Sequence, residues 1–120
     1  MSSLQEILAG LQKSYLASMP DKITLIEALW QAKDFEKLET EYHKLKGTGR
    51  TYGLPEFTQL GEILERICMT DSKSLPQAVP FSLSLLSRMR NARVQGTSIT
   101  LDDEPEFQLL VKLVDVAGRP

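Results

Sequence analysis

One cysteine and one histidine in 120 residues remove several kinds of chemistry before any motif is read. Cys68 has no second cysteine to pair with, so no intrachain disulfide can form, and one histidine with one cysteine makes no zinc-ligand cluster. A lone thiol of this sort reads as a small, buried apolar side chain in a reducing compartment. Basic excess is missing too. The formal net charge is -2, whereas a phosphate backbone asks for a cationic surface, so nucleic acid is not an expected partner. No run approaches the roughly 18 apolar residues of a membrane span, and Met1-Ser2-Ser3-Leu4-Gln5-Glu6 has no basic region ahead of an apolar one. A monomeric cytoplasmic protein with no membrane partner is expected.

What the chain does have is apolar material at helical spacing, 42% of its residues, enough for the core of one domain. Leu4, Ile7, Leu8, Leu11 and Tyr15 form a first stripe, with Ser2 or Ser3 as amino cap and Met19-Pro20 as its stop. Pro20 and Asp21 suit the opening of a second helix, with Ile23, Ile26, Leu29, Trp30 and Lys33 on one face. Asp34 caps a third, whose seam runs Phe35, Leu38, Tyr42, Leu45, Gly49, Tyr52. Pro55 opens a fourth with Phe57, Leu60, Leu64 and Ile67 as its seam, and Gly53 before it supplies the permissive turn of a helical hairpin. After a loop at Asp71-Ser72-Lys73-Ser74, Leu75, Val79, Leu83, Leu86, Met89 and Ala92 continue a helical stripe, inside which Pro80 should start the helix or kink it. Gly96-Thr97-Ser98 breaks the pattern, Ile99-Thr100-Leu101 suits an extended segment, and Asp103-Glu104-Pro105 opens a short last helix with Phe107, Leu110, Leu113 and Val114. The expected architecture is all-α, an antiparallel up-down four-helix-type bundle with short additional helices at the termini. Residues 1–95 form the bundle and residues 96–120 a C-terminal extension docked on it.

His43 lies about 130° around its helix from the centre of that seam and is expected to face solvent. Lys46 and Gly47 stand one turn on, Arg50 two turns on, with Glu39 and Glu36 toward the amino end. An exposed imidazole of ordinary pKa, about 6.5, is mostly neutral at cytoplasmic pH and offers a lone pair to an electrophile. A phosphoryl group there brings nearly two negative charges, which Lys46 and Arg50 are placed to answer and Glu39 to repel. Glycine within a helix costs about 0.5–1 kcal/mol relative to alanine. At Gly47 the expected reason is access, since a bare backbone beside the imidazole lets another protein approach. Gly49 and Gly61 face the seam, where small residues let the third and fourth helices pack closely. Gly47-Thr48-Gly49 is not a phosphate-cradling loop, because no strand precedes it and no Gly-Lys-Ser/Thr follows at P-loop spacing.

The run His43-x-Leu45-Lys46-Gly47, with Gly53-Leu54 beyond it and an amphipathic segment ending in Leu64-Glu65, resembles the signature of histidine-containing phosphotransfer (HPt) domains. The resemblance runs from about Leu11 to Arg93. It implies that His43 is the phosphoacceptor, that Lys46 is the basic side chain near the phosphoryl group, that Gly47 is the small residue beside the histidine, and that Gly53 and Leu54 shape the turn into the next helix. Where such domains usually carry Gly or Ala seven residues after the histidine, this chain has Arg50, a departure that bears on partner docking.

The implied function is that of a phosphorelay carrier, taking a phosphoryl group on His43 from a receiver aspartate or a histidine kinase and passing it to a response-regulator receiver. The chain offers a nucleophile and one or two cations but no clustered carboxylates for Mg²⁺, so the expectation is a phosphocarrier without a cofactor or metal site of its own, the metal and remaining catalytic groups residing on the partner. Two other classes stand beside it. One is a non-phosphorylated helical-bundle adaptor that occupies a receiver, with Arg50 as the feature that blocks transfer, and the other is a structural bundle. A kinase is not expected, since no nucleotide-binding glycine-rich region is present.

Overall fold

The computed structural model describes residues 3–117. Ser2, the alternative amino cap, and residues 118–120 of the C-terminal extension lie outside the described residues. Five helices follow one another: α1 (Leu4–Gln31), α2 (Phe35–Thr51), α3 (Pro55–Thr70), α4 (Leu75–Val94) and α5 (Pro105–Ala117). Short turns join the first four into an antiparallel bundle in which α1 packs on α2 and α4, and α3 on α2 and α4. α5 lies against α3 and α4. The all-α expectation and its hairpin topology are what the chain adopts.

Helix ends are set by local chemistry. Ser3 Oγ accepts from Glu6 N at 3.1 Å and Asp34 Oδ1 from Lys37 N at 3.2 Å, each satisfying an amide that a first turn leaves orphaned. α2 ends in a Schellman motif: Gly53 sits at φ 69°, its N–H donates to Arg50 O, and the Leu54 N–H donates to Gly49 O at 2.8 Å while the Leu54 side chain is buried. The same pair of bonds closes α1, from Lys33 N to Trp30 O and from Asp34 N to Leu29 O. Here the left-handed position is occupied by Lys33 at φ 57°, with its ammonium 3.8 Å from the Trp30 ring centroid. Lys33 therefore belongs to the turn and not to an apolar stripe.

Before Asp34 there is one helix where the sequence predicts two. Pro20 lies inside α1 and ends nothing. A proline in a helix frees the carbonyl four residues back, here that of Leu16, and Arg90 Nε of α4 donates to that oxygen at 3.3 Å. The neighbouring helix thus satisfies the group that Pro20 orphans. Arg90→Met, which keeps the aliphatic stem and removes the donor, is expected to lower the unfolding free energy by about 1 kcal/mol in chemical denaturation. An unchanged midpoint would show that the Leu16 carbonyl has no need of Arg90.

Other expectations need adjustment. α4 begins at Leu75, with Pro76 in its first turn, and runs through Pro80 without a break. Leu101–Asp103 forms a single 3₁₀ turn and is not extended, because Asp103 N returns to Thr100 O and Glu104 N to Leu101 O; Thr100 before it is extended. Phe35 is exposed beside Trp30 and leaves the seam to Leu38, Tyr42, Leu45 and Gly49. Leu4, Ile7, Leu8 and Leu11 are also exposed, since α1 is longer than the helices it packs against.

The core collects Leu16, Met19 and Ile26 of α1, the seams of α2 and α3, and Val79, Leu85, Leu86 and Met89 of α4. Leu101, Phe107 and Leu110 belong to the same cluster. Arg88 grips this last segment, bonding Glu104 at 2.8 Å and Glu106 at 2.9 Å. Inside the bundle the Tyr42 hydroxyl pairs with Ser82 Oγ at 2.7 Å, and burial drives the Tyr42 phenol well above its ordinary pKa. Arg93 holds the nearly buried Glu56 through two bonds of 2.6 and 2.8 Å, tying the end of α4 to the start of α3.

Candidate functional site

Two glycines fix how near α2 and α3 approach. A Cβ on Gly61 would lie 2.5 Å from Lys46 N and 2.8 Å from Tyr42 O, and one on Gly49 would lie 2.5 Å from Thr58 N. This is backbone against backbone, which only glycine permits. The result is that Glu65, one turn beyond Gly61, comes level with His43 and Lys46.

His43 Nδ1 is 2.6 Å from Glu65 Oε2, and Lys46 Nζ is 3.2 Å from Glu65 Oε1. The His43 side chain is 67% exposed and that of Glu65 14%. Partial burial pushes the Glu65 carboxyl up, but the hydrogen bonds from His43 and then Lys46, with their charges, outweigh it and hold the pKa below the ordinary glutamate value. An ionised carboxylate can only accept. In the neutral ring the proton therefore sits on Nδ1, and Nε2 keeps its lone pair on the open side. Glu65 is the residue that sequence reasoning left without a role. The signal was available, because the hairpin folds at Gly53-Leu54, and ten residues before Gly53 stands His43 while eleven after Leu54 stands Glu65.

The other expected site residues separate into two groups. Lys46 joins the His43 cluster. Gly47 is exposed with nothing within 4 Å of where a Cβ would sit, so the ground one turn past His43 is open. Arg50 is exposed and two turns away, about 10 Å along the helix. It lines a hollow of about 360 Å³ at the α2–α3 turn with Gly49, Gly53, Leu54, Pro55, Thr58 and Gln59, and is not part of the His43 cluster. His43 itself opens on a shallow hollow of about 300 Å³ lined by Glu39, Thr40, Glu65 and the exposed Met69. Thr40 also borders a groove between α1 and α2, floored by Leu25 and Leu29 and edged by Lys37 and Lys44. Among the described residues, no three His, Cys, Asp or Glu side chains converge as a metal site requires.

Because the Glu65 pKa is held below the ordinary glutamate value, its link to His43 and Lys46 is present above that value and is lost as pH falls through the lowered one. The difference in melting temperature between the wild type and Glu65→Gln should shrink as pH falls below about 4, where the carboxylate takes up its proton. A difference that stays undiminished well below about pH 4 would mean that the carboxylate is not the stabilising form. Glu65→Ala should cost about tenfold to a hundredfold in any reaction at Nε2, by analogy with the loss seen when the carboxylate orienting a metal-bound histidine is removed.

Neither a search of curated proteins nor one of solved structures returned a match. A scan against protein-family models matched the Hpt domain over residues 10–103, most of the chain and all of the bundle around His43 except the first turns of α1, so the protein belongs to the Hpt domain family.

Proposed function

We propose that this chain carries a phosphoryl group on Nε2 of His43, taking it from a receiver aspartate or a histidine kinase and delivering it to a response-regulator receiver. Hpt domains are phosphocarrier modules of phosphorelays and not catalysts in their own right. The observation that carries the residue-level reading is the 2.6 Å contact of Nδ1 with Glu65, which leaves Nε2 free on an exposed ring. In the uptake step, the Nε2 lone pair attacks the phosphorus of an aspartyl phosphate. The P–N bond forms as the P–O bond breaks, and the oxygen leaves with the electron pair as the partner's carboxylate. The imidazole gains a positive charge, which Glu65 faces through Nδ1–H.

Lys46 is near enough to turn from Glu65 toward the arriving phosphoryl oxygens, while Arg50 acts at longer range, drawing the acidic mouth of a receiver toward α2. The Mg²⁺ and the remaining catalytic groups come from the partner. Leu25, Leu29 and Met69 supply an apolar rim on either side of His43, suited to a small transient interface with one copy of the carrier. Such partners place the carrier in the cytoplasm, and no described helix is long and apolar enough to cross a membrane.

The test is incubation with receivers loaded with labelled acyl phosphate. Acid-labile, alkali-stable label should map to His43, and Lys46→Ala should accept it more slowly. With Arg50→Ala, association should slow most at low ionic strength, where charges are least screened. A stable receiver complex with no label on the chain would replace the carrier with an adaptor that occupies the receiver.

A further inference from the structure

Among the described residues the Glu39 side chain has no hydrogen bond and no ion pair, although it is only partly exposed and lines the hollow onto which His43 opens. Glu65, the other carboxylate of that hollow, is held at 2.6 Å by His43 and at 3.2 Å by Lys46. The charge of Glu65 is thus balanced and that of Glu39 is not. Side chains of an α-helix lean toward its amino end, so the imidazole lies over the turn that carries Glu39, four residues back, with their Cβ atoms about 5–6 Å apart. Glu39 also reaches toward α3, because after burial its charge is the next cause of the raised Cys68 pKa. The rest of that side offers no donor. The Thr40 hydroxyl donates to Glu36 O at 3.1 Å, and Met69 has no side-chain N–H or O–H. A phosphoryl group on Nε2 therefore meets a cation, Lys46, on the carboxyl side of His43 and an unbalanced carboxylate on the amino side.

We infer that Glu39 sets how readily the phosphoryl group leaves His43, making the chain a carrier that passes the group on and does not store it. The inference rests on the carrier reading of His43. Glu39 acts through space on the nearly two charges of the phosphoryl oxygens, raising the phosphorylated ring in energy without taking part in the bond changes. In delivery a receiver carboxylate oxygen attacks phosphorus, the P–O bond forms as the P–N bond breaks, and Nε2 keeps the electron pair. The ring returns to neutral with its proton still on Nδ1, facing Glu65. The phosphoryl group then leaves the field of Glu39, and that relief favours the receiver side. Charges about 6 Å apart in water-like, salt-screened surroundings shift such an equilibrium by about two- to fivefold. No capping duty competes for this carboxylate, since Glu39 lies in the second turn of α2.

Phosphoramidate can load an exposed imidazole without a protein partner: Nε2 attacks phosphorus and ammonia leaves with the electron pair. The wild type, Glu39→Gln and Glu39→Lys are loaded in this way, freed of donor and mixed with one unphosphorylated receiver domain and Mg²⁺. The ratio of phosphohistidine to aspartyl phosphate is read before hydrolysis sets in. At low ionic strength, retention on His43 should rise about two- to fivefold in Glu39→Gln and further in Glu39→Lys, and the three chains should converge in about 1 M salt, where the screening length is about 3 Å. Glu39→Asp, which keeps the charge, should stay near wild type. Glu6→Gln removes the same charge from the amino end of α1, roughly 20 Å along the bundle from His43, and should change nothing. Circular dichroism and melting temperature should be unaltered by Glu39→Gln. Equal retention by the wild type and Glu39→Gln, a difference that persists undiminished in about 1 M salt, or lower retention by Glu39→Lys than by Glu39→Gln would each overturn the role of Glu39 and leave the carrier reading standing. A wild type that takes no label from phosphoramidate or from a loaded receiver would overturn the carrier reading and this inference with it.

Discussion

Replacing His43 by glutamine is expected to abolish acid-labile labelling of the chain and to leave its unfolding free energy within about 0.5 kcal/mol of wild type. The ring stands mostly in solvent and contributes nothing to the core, so little packing is lost. A glutamine amide N–H can take over the bond to Glu65, sparing that partly buried carboxylate and Lys46 the loss of a partner. What the amide lacks is a basic nitrogen lone pair, and without one no P–N bond forms. The nearby thiol is no substitute: burial first, then the charges of Glu39 and Glu65, push Cys68 up to about 12, so it stays protonated at neutral pH. Label retained on His43→Gln with an unchanged melting temperature would place the acceptor elsewhere and end the carrier reading.

The parts of this fold that are legible in the sequence are those where a local rule meets no competition. Asp34, Pro55 and Gly53 mark their helix ends as capping and turn chemistry dictate. Leu38, Tyr42, Leu45 and Gly49 fill the seam as their spacing requires. The rule fails at Pro20 because its cost is local while the compensation comes from Arg90, 70 residues later, and no window around the proline contains that donor. It fails again at Phe35, where periodicity assigns a face but cannot show that the chain turns at Lys33 and leaves Phe35 exposed beside Trp30. Glu65 was hidden for a third reason. An acid at the edge of an amphipathic helix is ordinary, and it acquires meaning only from the α2–α3 separation, which depends on Gly61.

That dependence makes Gly61→Ala, along with Gly49→Ala, one of the most damaging small substitutions expected in the hairpin. The added Cβ would meet Lys46 N at 2.5 Å, Tyr42 O at 2.8 Å and Lys46 Cα at 3.0 Å, all of them backbone atoms of α2, so no side chain can swing aside. The two helices must separate or shift along each other, against a core in which Tyr42, Leu45, Leu60 and Leu64 are fully buried. Overpacking of this kind costs about 1–3 kcal/mol, and rigid neighbours place Gly61→Ala at the upper end. The same displacement pulls Glu65 from His43 and Lys46, so phosphoryl uptake should fall along with stability. Gly47→Ala is the control, with open space around the new methyl group in an exposed helix interior and an expected gain of about 0.5–1 kcal/mol. The two alanines should therefore move the denaturation midpoint in opposite directions, although both add one methyl group to the same hairpin. If Gly61→Ala unfolds at the wild-type midpoint, close approach of α2 and α3 is not what sets the His43–Glu65 distance, and the orientation of the imidazole must come from elsewhere.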